Sequence, residues 1–274
     1  MRVLELATLS PGPLAGRFLL SLGFNVVKVV PPGGDPMRRL SPTLHRSLNE
    51  GKHVVYLDLQ KESKGIYEML RDVDAVLTTF RPSTAEKYGI SYRRLAEVRP
   101  GLICVAIVGY GGDEYSRNHP SYDINFAALA DAIGPCPPNV HAVDVAAGLH
   151  AALTISAMAA RGERGYVEIP MSRAAALINI LNLSLRRDGK PLLLSGDYPF
   201  YTVYRYRGGR AALGAVEPKF WERFCRAIGK EDLIPRQLDP AAKEEVENLW
   251  QRWTATSLRN LRKEKRYRLR LHTT

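Results

Sequence analysis

Apolar and polar positions alternate between two periods along the first two thirds of the chain. "RVLELA" (2–7) is a short apolar strand that stops at the Pro/Gly turn "TLSPGP". "LAGRFLLSLG" follows with apolar residues at helical spacing, and "NVVKVV" (25–30) is a second strand, halted by "PPGGDP". Strand, turn, helix, strand, with both strands apolar on both faces, is the βαβ unit of a parallel sheet. The order repeats. "KHVVYLDL" predicts a strand, "KESKGIYEMLRDV" a helix and "DAVLTTF" a strand. "RPSTAEKYGISYRRLAEVRP" reads as a broken helix and "LICVAIVGYG" as a strand. Two helices come next, "DINFAALADAIG" and the long, Ala-rich "VAAGLHAALTISAMAARGERG", then the strand "YVEIPM" and one last helix, "SRAAALINILNLSLRRDG". Strands alternating with helices across residues 1–185 predict a doubly wound α/β domain.

The texture changes after Gly189. "YPFYTVYRYRGGRAALGAV" alternates aromatic and polar residues and predicts a β-hairpin turning at "RGG". "EPKFWERFCRAIG" predicts a helix with Pro218 in its first turn, and "AAKEEVENLWQRWTATSLRNL" adds one or two more. The expected organisation is a large domain over 1–190, a small α+β domain over 195–260 and a basic tail over 261–274.

Charge changes this picture little. The net charge is +11, yet residues 251–274 hold eight Lys/Arg and one Glu, a net +7, which leaves +4 for the other 250 residues. The excess is therefore concentrated at one end, where a solvated terminus is expected and nucleic-acid binding is not. Hydrophobic content of 45 % and charged content of 24 % are those of a globular protein. No apolar run approaches the ~18 residues of a membrane helix, and no signal pattern opens the chain. Cys104, Cys136 and Cys225 are odd in number and widely spaced, which points to a reducing cytoplasm. Six histidines form no i, i+4 pair, so no metal site is expected. Three glutamines beside 39 Lys/Arg is a bias seen in thermophiles.

Ligands of a doubly wound sheet collect at the carboxyl ends of its strands. Here those ends are "TLSPGP", "VPPGGDP", "TTFRP" and "VGYGG", Gly/Pro loops whose amides can approach a ligand closely. Neither GxGxxG nor GxxxxGK[ST] occurs, so a nicotinamide or nucleoside-triphosphate site has no motif behind it. Lys28, Arg38, Arg81 and Lys87 lie near these ends, where they could meet phosphates or remain surface charges. There is no GxSxG elbow, and carboxylates are the remaining candidates for chemistry. Asp144, in "HAVDVAAGLH", stands among small and apolar residues at a loop-to-helix junction. Two readings are open for it: a helix N-cap, or a nucleophile kept ionised by the helix terminus. Asp123 reads as a cap, and Glu217 as a cap or first-turn acid.

Eight stretches in order resemble the family III CoA-transferases and their alpha-methylacyl-CoA racemase relatives. They are "RVLELATLSPGPLAG", "NVVKVVPPGGDPMRR", "NEGKHVVYLDLQ", "VLTTFRPSTAEKYGISYRRL", "LICVAIVGYG", "SYDINF", "VDVAAG" and "AVEPKFWERFC". The resemblance implies a Rossmann-like large domain, a small domain and a homodimer of interlocked chains. It implies CoA along the strand-end loops, with Phe80 stacking near adenosine, Lys28 and Lys87 near phosphates, and Arg38, Arg81, Gly109 and Tyr110 on the same edge. By resemblance Asp144 is the transferase nucleophile, which passes through an acyl anhydride to an aspartyl-CoA thioester. Tyr122 matches a transferase active-site tyrosine, and Ser10 stands where some transferases place a glutamine. The racemase branch implies proton transfer by Asp144 and Glu217, with Tyr122 in place of its histidine. The expected partners are acyl-CoA and a small carboxylic acid, without metal or membrane. The alternatives are a racemase or a CoA-binding member without turnover.

Overall fold

The computed structural model describes all residues except 63, 134–138, 255, 257–269 and 273–274. It divides into two units, 1–180 and 181–274. In the first, the chain runs β1 (Arg2–Leu6), α1 (Pro11–Ser21), β2 (Asn25–Val30), α2 (Pro36–Leu40), α3 (Pro42–Asn49), β3 (His53–Tyr56), α4 (Lys64–Met69), β4 (Ala75–Thr78) and α5 (Pro82–Lys87). It continues through α6 (Tyr92–Val98), β5 (Ile103–Val108), α7 (Glu114–Asn118), α8 (Asp123–Leu129), α9 (Ala142–Arg161), β6 (Gly165–Pro170) and α10 (Met171–Ile178). Six strands form one sheet in the order β3-β2-β1-β4-β5-β6, and every pair is parallel. This is the doubly wound, Rossmann-like arrangement, and its strands fall on the segments that read as strands.

β1, β2, β4 and β5 bury both faces, as a parallel sheet with helices on each side requires, while the edge strand β3 is largely exposed. Val3, Val26, Leu77, Val105 and Ile107 face a core shared with α1, α8, α9 and α10. Leu4, Leu6, Val27 and Val76 face the opposite core, with Ile66, Leu70 and Leu95. Side chains alternate along a strand, so Glu5 falls on the α1 side, directly in register with Lys28. That pair of charges sits in an otherwise apolar layer.

α9 is 20 residues long and, by length and composition, apolar enough to cross a membrane. It is instead the central core helix of this unit. Val143, Ala147, Ala151, Ala152 and Ile155 are fully buried against the sheet and α1, and Gly162 (φ 68°) closes the helix in the left-handed conformation. Its outer face leaves Val145, Leu149 and Leu153 at 40, 44 and 54 % exposure.

The helix expected over 172–189 is two. Asn179 ends α10, and its side-chain amide donates to the carbonyls of Ala130 (2.9 Å) and Asp131 (2.8 Å). α11 (Ile180–Arg187) follows. The second unit then forms the hairpin β7 (Tyr201–Tyr206) and β8 (Gly209–Gly214), followed by α12 (Pro218–Ala227) and α13 (Ala242–Trp250). Its core is aromatic: Tyr204 lies 4.9 Å from Trp250 between ring centroids, with Trp221 and Phe224 beside them. The basic tail is not wholly a free terminus, because β9 (Arg270–His272) pairs antiparallel with β8. Among the described residues, Cys104 and Cys225 are free and buried; Cys136 lies outside them.

Candidate active site

α1 and α9 approach closely near the head of α9. Gly148 permits this: a Cβ there would stand 2.8 Å from the Pro11 carbonyl oxygen and 3.3 Å from the Ala15 nitrogen. One turn earlier on α9 is Asp144, 9 % exposed. His141 is the N-cap residue, which makes Asp144 the third residue of the helix and not the cap that "HAVDVAAGLH" allows as one reading. The backbone N–H of Asp144 donates to Asp123 Oδ1 at 2.9 Å. Asp123 is the first residue of α8, behind an N-cap supplied by Tyr122, so it also is not the cap expected of it. It uses its carboxylate to tie the start of α8 to the start of α9.

Burial pushes the Asp144 carboxyl above its ordinary range, and the negative charge of Asp123 adds to this. A hydrogen bond from the Ser10 hydroxyl and the proximity of His141 act in the opposite sense. Asp123, His141 and Asp144 each place one side-chain atom within 4.8 Å of the other two. Two carboxylates, an imidazole and a hydroxyl thus meet at the mouths of α1 and α9. Ser10 and His141 carry roles that periodicity does not reveal. The signal for His141 was its position three residues before Asp144 in a segment about to become helical.

A separate cavity of about 170 Å³ opens at the ends of β1 to β4, the switch region of the sheet. Ala7, Thr8, Pro31, Leu57, Phe80 and Tyr88 line it. Phe80 and Tyr88 meet edge to face, 5.8 Å between centroids, and Gln60 Nε2 donates to the Tyr88 hydroxyl at 3.2 Å. Phe80 is thus part of the cavity wall. Arg81 and Lys87, chain neighbours of two wall residues, are exposed, as is Arg38 on α2. Gly109 and Tyr110 follow β5. The Tyr110 hydroxyl lies 2.8 Å from Ser121 Oγ and its ring 5.0 Å from Phe126 of α8. Tyr122 is 71 % exposed. Glu217 belongs to the second unit, at the N-cap of α12, with its carbonyl accepting from Phe220 and Trp221.

Lys28 corrects the sequence reading. It is wholly buried and cannot meet a phosphate. Its Nζ pairs with Glu5 Oε1 (2.8 Å), donates to the Ala7 carbonyl (2.7 Å) and lies 3.5 Å from Asp35 Oδ2. Lys52 completes the cluster from the other side, 2.7 Å from Glu5 Oε2, donating also to Pro13 O (2.9 Å) and Asn49 Oδ1 (3.2 Å). Burial lowers the Lys52 pKa to about 8, against the pull of Glu5. A Cβ on Gly16 would fall 2.0 Å from Glu5 Oε2, so glycine leaves room for this carboxylate. The two lysines grip Ala7, just after β1, and Pro13, in the first turn of α1, on either side of Ser10. Asp35 also caps α2, accepting from Met37 N–H at 2.8 Å.

The model of CoA-transferase family III matches residues 1–265. The cinnamoyl-CoA:phenyllactate CoA-transferase of Clostridium sporogenes is 27 % identical over 268 residues, covering 85 % of this chain and 65 % of that protein. The human alpha-methylacyl-CoA racemase is 30 % identical over 262 residues, covering 86 % and 66 %. The match thus spans about two thirds of the length of these two relatives. The probable fatty acyl-CoA transferase of Mycobacterium tuberculosis is 30 % identical over 275 residues, covering 86 % and 70 %. Its crystal structure superposes with a TM-score of 0.83 at 26 % identity, covering all of this chain and 82 % of the other. With the parallel sheet, the loop cavity and the carboxylate at the head of α9 in place, the chain belongs to CoA-transferase family III.

Proposed function

We propose that the protein is an acyl-CoA:carboxylate CoA-transferase with Asp144 as its nucleophile. The observation that carries this reading is the state of that carboxylate: poorly solvated, hydrogen-bonded by Ser10, and 9 % exposed at the head of α9. A carboxylate stripped of water attacks carbonyls more readily than a hydrated one. An Asp144 oxygen adds to the thioester carbonyl, the C–S bond breaks and CoA leaves as thiolate. The thiolate attacks the Asp144 carbonyl of the resulting anhydride and releases the donor acid. An acceptor carboxylate then reverses both steps, leaving with CoA and restoring Asp144. The cavity beside Phe80 takes the adenine end of CoA, with Arg38, Arg81 and Lys87 as the exposed cations nearest to its phosphates and Gly109–Tyr110 along the same edge.

Incubation with an acyl-CoA and hydroxylamine tests this: the peptide containing Asp144 should gain the hydroxamate mass, and D144N should not. An unmodified Asp144 with several donors, while free CoA still raises the melting temperature, would identify a binding protein without turnover. A second reading, alpha-proton exchange at Asp144, is favoured by the raised pKa of that residue, since such a carboxyl also carries protons. Deuterium incorporation from heavy water at the alpha carbon separates the two. We further propose that a second copy of the chain covers the outer stripe of α9, Val145, Leu149 and Leu153, large apolar side chains that remain exposed.

A further inference from the structure

Exchange of carboxylate for thiolate at Asp144 moves no proton, yet the nucleophile is flanked by two groups suited to moving one. Asp123, His141 and Asp144 have reactive atoms within 4.8 Å of one another. Their exposure is graded: Asp123 is 7 % exposed, Asp144 9 %, and His141 is open to water. Asp123 is fixed by the N–H of Asp144, and His141 by its carbonyl, which accepts from Val145 N–H at 3.2 Å. An imidazole with water on one side and two acids on the other brings within reach of one another the parts a hydrolytic triad uses: an orienting acid, a base and an acyl carrier.

We propose that this site hydrolyses its own aspartyl-CoA thioester when no acceptor carboxylate is bound, with His141 as the general base and Asp123 as the residue that orients it. The inference rests on Asp144 being the nucleophile. His141 takes a proton from water as the water oxygen adds to the Asp144 carbonyl carbon. The C–S bond breaks, His141 passes its proton to the departing sulfur, and CoA leaves as the thiol. Asp144 regains its carboxylate with one oxygen from water, and the proton of the new carboxyl passes to solvent.

The test runs the full chain with an acyl-CoA in ¹⁸O-labelled water, without added acid. Thiol release, ¹⁸O in the Asp144 peptide and hydroxylamine trapping are measured together. The expected result is continuous thiol release with ¹⁸O in Asp144. H141G, a residue that also fits an N-cap, should release thiol at least about 100-fold more slowly per trapped Asp144, and added imidazole should restore part of the loss. Trapped Asp144 without ¹⁸O, or H141G releasing thiol at the wild-type rate, overturns the hydrolytic role and leaves transfer intact. Failure to trap Asp144 at all overturns the reading beneath it.

Discussion

Replacing Lys28 by methionine keeps the side chain's length and removes its charge. In the folded protein this ammonium has no solvent exposure and stands 2.8 Å from Glu5, 2.7 Å from the Ala7 carbonyl and 3.5 Å from Asp35. Without it, Glu5 keeps Lys52 alone, Asp35 loses its nearest cation, and the Ala7 carbonyl loses a donor. Removing one partner of a buried ion pair costs about 3–5 kcal/mol. At about 2–4 °C per kcal/mol for a domain of this size, the melting temperature of K28M should fall by roughly 6–20 °C. A lysine serving only as a phosphate ligand behaves differently. Its loss would change stability by no more than about 0.5 kcal/mol and weaken CoA binding by the ~1.5–3 kcal/mol of a charged hydrogen bond. Thermal unfolding followed by circular dichroism, with calorimetric titration of CoA below the transition, measures both quantities on one preparation. An unchanged melting temperature together with a tenfold or greater loss of CoA affinity would refute the buried-pair argument.

Gly148→Ala sets helix propensity against packing. The alanine gains about 1 kcal/mol in the helix, but its Cβ meets the Pro11 carbonyl oxygen at 2.8 Å, and backbone cannot swing aside, so overpacking of about 1–3 kcal/mol dominates. A denaturant midpoint at or above wild type would contradict this. Lys52 has a folded pKa near 8 against 10.5 unfolded, so the unfolded chain binds more protons between those values and stability rises with pH there. The contribution is absent below pH 8 and complete above 10.5, on the order of 3 kcal/mol. K52M should lose the rise, and parallel stability–pH curves for wild type and variant would refute it. L149E/L153E, on the outer face of α9, should leave the melt within a few degrees and convert a dimer to monomer in sedimentation. An unchanged mass would remove that face from the assembly.

The βαβ repeat was legible because a buried parallel strand must be apolar on both faces, and "NVVKVV" and "LICVAIVGYG" are. The break at Asn179 was not, because its cause is two carbonyls at the end of α8, some fifty positions earlier in the chain. Asp144 was legible as a charge out of place in a small-residue segment. Its neighbours were only half so. Asp123 looks like a cap from local sequence, while its partner is an amide 21 residues on. Lys28 misled for the same reason. A lysine near a strand end reads as surface charge until Glu5 in register and Lys52 from the turn between α3 and β3 are brought around it. Periodicity places such residues on a face of the sheet, and says nothing of which charges share that face.

The quartet Glu5, Lys28, Asp35 and Lys52 sums to zero in the dry interior, two of each sign. Losing any one member strands an excess charge without water, so these positions cannot drift singly through the descent of the protein. They must be inherited as a block or exchanged together for hydrocarbon, and a lineage that makes the exchange gives up the polar brace under the Ser10 loop at the same moment.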